Sequence, residues 1–155
     1  MKKQRPELDL RQFLPSRLNR LSERVSNVLS AMYTRQFGLS VAEWRVLAWL
    51  SHKPSITAGE ICRQAFMDKA TVSRAVQRLE ERQLLRRMQA PGDQRIQLLE
   101  LTEQADELLR ELLPKAFDLE AELVETFSAQ ELRDLLHLVG KLERQLSRME
   151  GAEEV

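Results

Sequence analysis

The chain has 155 residues, enough for one domain or for a domain with an appended module, and its 24 Lys/Arg balance its 24 Asp/Glu. A single cysteine excludes an intramolecular disulfide framework. No apolar run reaches the length of a membrane span and none follows the charged N-terminus, so we expect a cytoplasmic protein with no signal peptide and no membrane partner.

The first predicted element is a long helix that ends at Phe37-Gly38. Apolar residues recur along it in the heptad pattern of a helix that packs along one side: Leu14, Leu18, Leu21, Val25, Val28 and Met32. Pro15 suits its first turn. Because this seam is too long for a small neighbour to cover, residues 1–36 are predicted to be an N-terminal dimerisation helix.

Two capping boxes predict the starts of the next two helices. Ser40-Val-Ala-Glu43 precedes a helix that is apolar on nearly all sides and is therefore expected to be central. Thr57-Ala-Gly-Glu60 opens the short helix TAGEICRQAF. A third helix follows at once, and two short helices joined by a tight turn form a helix-turn-helix.

That third helix is predicted over residues 69–82, with Asp68 as its N-cap. Val72, Ala75, Val76 and Leu79 form one buried stripe. The exposed side is polar and carries Lys69, Ala70, Thr71, Ser73, Arg74, Gln77 and Arg78. Arginine can pair with guanine and glutamine with adenine, whereas any surface helix also has a solvated face.

A β-hairpin is predicted next. Residues 84–88 and 96–101 are apolar enough for strands, and residues 89–93 between them contain Pro91-Gly92, which is typical of a turn. A helix-turn-helix followed by a hairpin is a winged helix, which we place over residues 37–101.

Residues 102–150 are predicted to form C-terminal dimerisation helices. Thr102 caps a long helix in which Pro114 is expected to cause a kink. A third capping box, Ser128-Ala-Gln-Glu131, opens a last helix with a second heptad seam: Leu132, Leu135, Val139, Leu142, Leu146 and Met149. Residues 151–155 are expected to be a frayed tail. The fold class is mainly α with a small β-hairpin, in a two-fold homodimer.

Charge is distributed unevenly along the chain. Residues 1–62 carry ten Lys/Arg and five Asp/Glu, residues 63–95 carry eight and four, and residues 96–155 carry six and fifteen. A neutral protein whose first 95 residues are basic and whose remaining residues are acidic can turn its basic part toward a polyanion. This pattern favours double-stranded DNA as partner.

The segment DKATVSRAVQRLEERQLLRR, the following Asp-Gln-Arg and then LLELTEQA resemble the MarR family of bacterial transcription regulators, over about residues 10–148. The resemblance implies a wing on which Arg95 enters the minor groove while Asp93 steadies it, with Gln94 between them where a second arginine is common. It also implies a pseudo-palindromic operator. Gln83 replaces the glycine that usually ends the recognition helix, and Gln104-Ala105 replaces a charged residue and glycine.

The resemblance further implies a small aromatic or phenolic effector between the dimer helices and the winged helix. Candidate lining residues are Arg17, Arg20, Trp44, Arg45 and Trp49. For each, packing or an ordinary surface position is the alternative. The sequence names neither the effector nor the regulated genes, and it does not separate repressor from activator.

Other chemistry has little support. His52, His137 and Cys62 lack metal-ligand spacing, so no metal and no cofactor are expected, and nothing predicts an enzyme. Cys62 fits a buried apolar position better than a redox sensor. We therefore expect a homodimeric DNA-binding regulator that acts as a repressor. The alternatives are a helical dimer that binds other proteins, and a thiol- or metal-responsive sensor.

Overall fold

The computed structural model describes residues 8–152, and within them the fold is mainly helical with one antiparallel hairpin, as predicted. The elements in chain order are α1 (Leu14–Phe37), α2 (Val41–His52), α3 (Ala58–Ala65), α4 (Lys69–Glu81), β1 (Leu85–Ala90), β2 (Asp93–Leu101), α5 (Glu103–Leu123) and α6 (Ala129–Ala152).

The predicted capping boxes are confirmed by reciprocal hydrogen bonds. At the start of α2, the Glu43 backbone N–H donates to Ser40 Oγ and the Ser40 N–H donates to the Glu43 carboxylate, both at 3.1 Å. Thr57 and Glu60 make the same pair of bonds at α3, as do Ser128 and Glu131 at α6. The backbone N–H of the capping residue lowers the pKa of both Glu60 and Glu131, because it stabilises the carboxylate.

The core surrounds α2, which contacts α1, α3, α4 and β2, so its predicted central position is confirmed. Val46, Leu47 and Leu50 of α2 are buried. Ile56, just before α3, pairs with Leu99 of β2 through two backbone hydrogen bonds of 2.8 and 3.4 Å. The sequence did not predict this bridge, which adds a short third segment to the hairpin.

Several predicted boundaries are wrong by a few residues. α3 ends at Ala65 and α4 at Glu81, so Phe66 and Arg82 are caps and not helical residues. Both strands extend further toward the turn than predicted. Helix α6 continues through Gly151 to Ala152, where a frayed tail was expected. Residues 153–155 of that tail lie outside the described residues.

The chain divides into two compact units, one reaching Pro114 and the other beginning at Lys115. Every buried residue found belongs to the first unit. In the second, none of residues 115–151 is buried, although this stretch is rich in leucine. Pro114 lies inside α5 at the division, and the kink expected there stays a prediction.

Candidate nucleic-acid interface

Helix α4 begins at a strong side-chain cap. Asp68 Oδ1 accepts the Thr71 backbone N–H at 2.9 Å, and Asp68 Oδ2 accepts the Thr71 hydroxyl at 2.6 Å. The hydroxyl bond, followed by the backbone bond, lowers the pKa of Asp68. Thr71, predicted to face DNA, therefore uses its hydroxyl to hold the start of the helix.

The two faces of α4 are those that the sequence predicts. Val72, Ala75, Val76 and Leu79 are buried. Lys69, Ala70, Ser73, Arg74, Gln77 and Arg78 are exposed, whereas Thr71 is half-buried. Gln77 Nε2 donates to Glu81 Oε1 at 3.0 Å, and Arg74 Nη2 lies 3.4 Å from Thr71 Oγ1. Most of the polar face is thus exposed to solvent.

One flank of α4 borders a cavity of about 490 Å³ between α3, α4 and β1. Its lining residues are Ala58, Gly59, Cys62, Lys69, Ser73, Val76 and Arg87. Lys69 and Ser73 therefore lie beside the α3 and β1 side of the helix. Cys62 is only half-buried, so its expected burial is wrong, because the cavity leaves one side of α3 uncovered.

The opposite flank of α4 contacts a buried carboxylate that the sequence reasoning missed. The Glu43 residue is 4% exposed, and its carboxylate lies 3.8 Å from Arg78 and 3.7 Å from Arg82. Arg82 also donates to the Phe37 and Gly38 carbonyls, each at 3.0 Å. We call Glu43, Arg78 and Arg82 the Glu43 cluster. It joins the end of α4 to the start of α2 and the end of α1.

Arg78 is therefore not only a solvent-exposed residue of the polar face of α4. Its side chain is 66% exposed but lies near Glu43, so it is shared between the protein interior and the surface. The sequence signal for the cluster is weak. It consists of a capping-box glutamate whose helix is apolar on most sides, where a carboxylate needs a cationic partner.

The wing is an antiparallel hairpin with an irregular tip. Gln89 pairs with Gln97 and Ala90 pairs with Asp93, so residues 94–96 have no register partner in β1. Asp93 Oδ1 accepts the Arg95 backbone N–H at 2.9 Å. Arg95 therefore lies in an irregular part of β2, whereas the predicted strand began only at residue 96, and Asp93 holds the Arg95 main chain.

The wing is fastened to α4 at its base. Thr102 Oγ1 donates to the Gln83 carbonyl at 2.6 Å, and the Thr102 N–H donates to the Leu84 carbonyl at 3.2 Å. Arg87 Nε of β1 donates to Glu80 of α4 at 3.0 Å. Gln83 adopts the left-handed conformation, with φ 58°, as its position in place of a glycine predicts.

The predicted effector residues are only partly brought together. Trp44 stacks on Tyr33, with ring centroids 5.8 Å apart. Burial raises the pKa of the Tyr33 hydroxyl, and the nearby Arg45 charge opposes that rise. Trp49 is half-buried in α2, and Arg17 and Arg20 are exposed near the start of α1.

The part of the chain that the structure describes has neither a membrane-spanning helix nor a cluster of metal-binding side chains. None of its helices is long and apolar enough to cross a membrane. Among residues 8–152 we find no group of three His, Cys, Asp or Glu that could hold a metal ion.

Comparison with known proteins agrees with this architecture. A sequence model of the MarR family matches residues 37–96, the winged-helix segment. The chain is 27% identical over 147 residues to the HTH-type transcriptional regulator PecS of Dickeya dadantii (strain 3937), a match that covers 92% of this chain and 88% of that protein. A MarR/EmrR family regulator from Acinetobacter sp. ADP1 superposes with a TM-score of 0.84 at 28% identity, covering 91% and 99% of the two chains. Residues 37–96 thus match the MarR family model, and the chain resembles MarR-family regulators over most of its length.

Members of the MarR family are transcription regulators, not enzymes, and some respond to small ligands. One similar structure is that of BpsR from Bordetella bronchiseptica, whose DNA binding is regulated by 6-hydroxynicotinic acid. It superposes with a TM-score of 0.79 at 22% identity, covering 89% of this chain and 98% of that one. At that identity the likeness concerns the fold alone.

Proposed function

We propose that this MarR-family protein is a cytoplasmic, homodimeric repressor that binds a pseudo-palindromic site on double-stranded DNA. One observation carries the proposal. The exposed polar face of α4 and the arginine of the wing are held on one core, as major-groove and minor-groove readers need to be.

Within that proposal the residues divide into readers and anchors. Arg74 and Gln77 read base edges, since both are exposed in the middle of the polar face. Ala70 lies on the same face of α4 and contacts the wall of the same major groove. Arg95 enters the adjacent minor groove, where Asp93 fixes its main chain. Lys69, Ser73, Arg78 and Gln94 contact or flank the phosphates.

The exposed seams support the dimer. In the single chain, Leu14, Leu18 and Leu21 of α1 are 53, 44 and 58% exposed. On α6, Leu142 and Leu146 are 39 and 55% exposed. Heptad leucines exposed on two long helices destabilise an isolated chain, and a second copy with the same seams covers them.

The decisive experiment is fluorescence anisotropy on the DNA upstream of the protein's own gene, titrated at several salt concentrations. We expect saturable binding of one dimer per site, with an affinity that falls steeply as salt rises, because contacts to phosphate release counterions. A scrambled duplex of equal length is the control. Absence of binding, or a flat salt response, would favour the protein-interaction alternative.

For the effector, we propose a small aromatic acid that weakens DNA binding. The proposal rests on the aromatic stack of Tyr33 and Trp44 beside the Arg45 charge, and on the ligand-responsive members of the family. Titration with 6-hydroxynicotinate and with benzoate should quench tryptophan emission and release the DNA. Arg45→Gln should reduce both effects. Release of DNA by neither acid would contradict the proposal for these two probes.

A further inference from the structure

Phe66 occupies an unusual place in the turn between α3 and α4. It is the C-cap of α3, with φ 49° and ψ 47°, which is the left-handed region. The residue is 89% exposed, the highest value among the exposed large hydrophobic residues of the described part of the chain. The Cys62 carbonyl accepts the backbone N–H of both Phe66 and Met67, so main-chain bonds hold the turn.

Neither property of Phe66 stabilises the folded chain. The left-handed conformation costs free energy for every residue with a Cβ atom, and glycine adopts it without that cost. A lone exposed apolar residue is ordinary on a protein surface. An exposed aromatic ring in a strained conformation, where glycine would serve the fold better, points instead to a contact outside the chain.

The position of Phe66 indicates which contact. It lies two residues before Asp68, the N-cap of α4, and so it flanks the end of the helix that approaches DNA in helix-turn-helix proteins. Within three residues of Phe66 the exposed side chains are Arg63, Gln64, Asp68 and Lys69, and the Asp68 carboxylate is bonded to Thr71 in the cap of α4. Two cations thus outnumber one capped carboxylate, and a net positive surround favours a polyanion over an apolar protein surface.

We propose that the Phe66 ring packs on the deoxyribose rings of the DNA backbone at the edge of each half-site. This inference rests on the proposed function and adds an apolar anchor to it. Sugars are the same at every position, so the contact increases affinity on any duplex and leaves base discrimination to the polar face of α4.

Three variants test the inference, with Gln83 as a matched control. Gln83 is the other residue with a side chain and a positive φ among those described, and it lies at the opposite end of α4. Phe66→Gly removes both the ring and the strain, Phe66→Ala removes the ring alone, and Gln83→Gly removes strain alone. Anisotropy is measured on a duplex selected from a random pool by the parent protein, and on its scrambled form. Thermal unfolding is followed in parallel.

We expect both Phe66 variants to bind both duplexes about five- to tenfold more weakly, the change expected when several tens of square ångströms of apolar surface leave an interface. Phe66→Gly and Gln83→Gly should each unfold a few degrees higher than the parent. Gln83→Gly should bind DNA as tightly as the parent.

Other results would overturn the inference. Parent-like affinity of Phe66→Ala on both duplexes would show that the ring does not touch DNA. A loss confined to the selected duplex would make Phe66 a base reader and contradict the sugar contact. A change in self-association without loss of DNA binding would assign the ring to a protein contact. If the parent selects no duplex at all, the proposed function itself fails.

Discussion

Replacing Glu43 by alanine tests whether the Glu43 cluster holds α4 in place. The substitution removes half of a capping box, a loss of about 1 kcal/mol. It also removes two ion pairs at 3.8 and 3.7 Å whose arginines are 66 and 38% exposed, and each such pair contributes up to about 1 kcal/mol. We therefore expect a loss of about 2–3 kcal/mol in unfolding free energy.

For a chain of this length, each kcal/mol lowers the unfolding temperature by roughly 2–4 °C. Glu43→Ala should then unfold about 4–12 °C below the parent. Glu43→Gln keeps an oxygen that accepts the Ser40 N–H but has no charge, so its loss should be about half as large. The measurement is thermal unfolding by circular dichroism at one fixed protomer concentration, since association raises apparent stability.

Glu60→Ala is the matched control. Glu60 completes the same capping box on α3, but its only described ion pair is with Lys53, whose side chain is 58% exposed. We expect a loss of about 1 kcal/mol there. Equal losses for Glu43→Ala and Glu60→Ala would refute the reasoning, because the arginines of the cluster would then contribute nothing.

Three further predictions concern the dimer, the wing and the start of α4. Aspartate at Leu21 or at Leu142 should give monomers or unfolded chain by analytical ultracentrifugation, since each charge would face an apolar partner; a parent that sediments as a monomer at micromolar concentration would exclude the dimer. Arg95→Ala should lose DNA affinity, mostly on sites with a narrow minor groove, and Asp93→Ala should lose less. Neither substitution should change the unfolding temperature much. If the Arg95→Ala protein binds its site like the parent, the wing has a structural role alone. The hydrogen bonds of Asp68 lower its pKa, so its capping contribution is full above the ordinary carboxyl pKa and is lost as pH falls through the lowered value. The difference in unfolding free energy between parent and Asp68→Asn should therefore shrink as pH falls below the ordinary carboxyl pKa of about 3.9. A difference that stays constant with pH would mean that the charge of Asp68 is not what caps α4.

The helix starts could be predicted from sequence because their signals are local. A capping box needs only a hydroxyl and a carboxylate three residues apart, as Ser40 and Glu43 show. The buried stripe of α4 was also predictable, because it depends on helical spacing alone. The left-handed conformation of Gln83 was predictable only through the family resemblance, which implies that glycine usually ends the helix at that position.

The features that sequence missed are those made between distant residues. Arg82 reaches the Phe37 and Gly38 carbonyls across more than forty positions of the chain. The bridge between Ile56 and Leu99 likewise depends on how the hairpin lies against α3. The irregular part of β2 that contains Arg95 depends on strand register, which the turn residues Pro91-Gly92 do not set by themselves.

The bonds of Thr102 have a consequence for which DNA sequences can be bound. One threonine ties the chain leaving α4 to the chain leaving β2, and Arg87 joins β1 to Glu80 further along α4. These bonds hold the base of the wing at a fixed distance from α4. A duplex whose groove spacing differs from that distance has to twist or bend to fit, so flexible base steps between the contacted positions should be favoured although no side chain touches them.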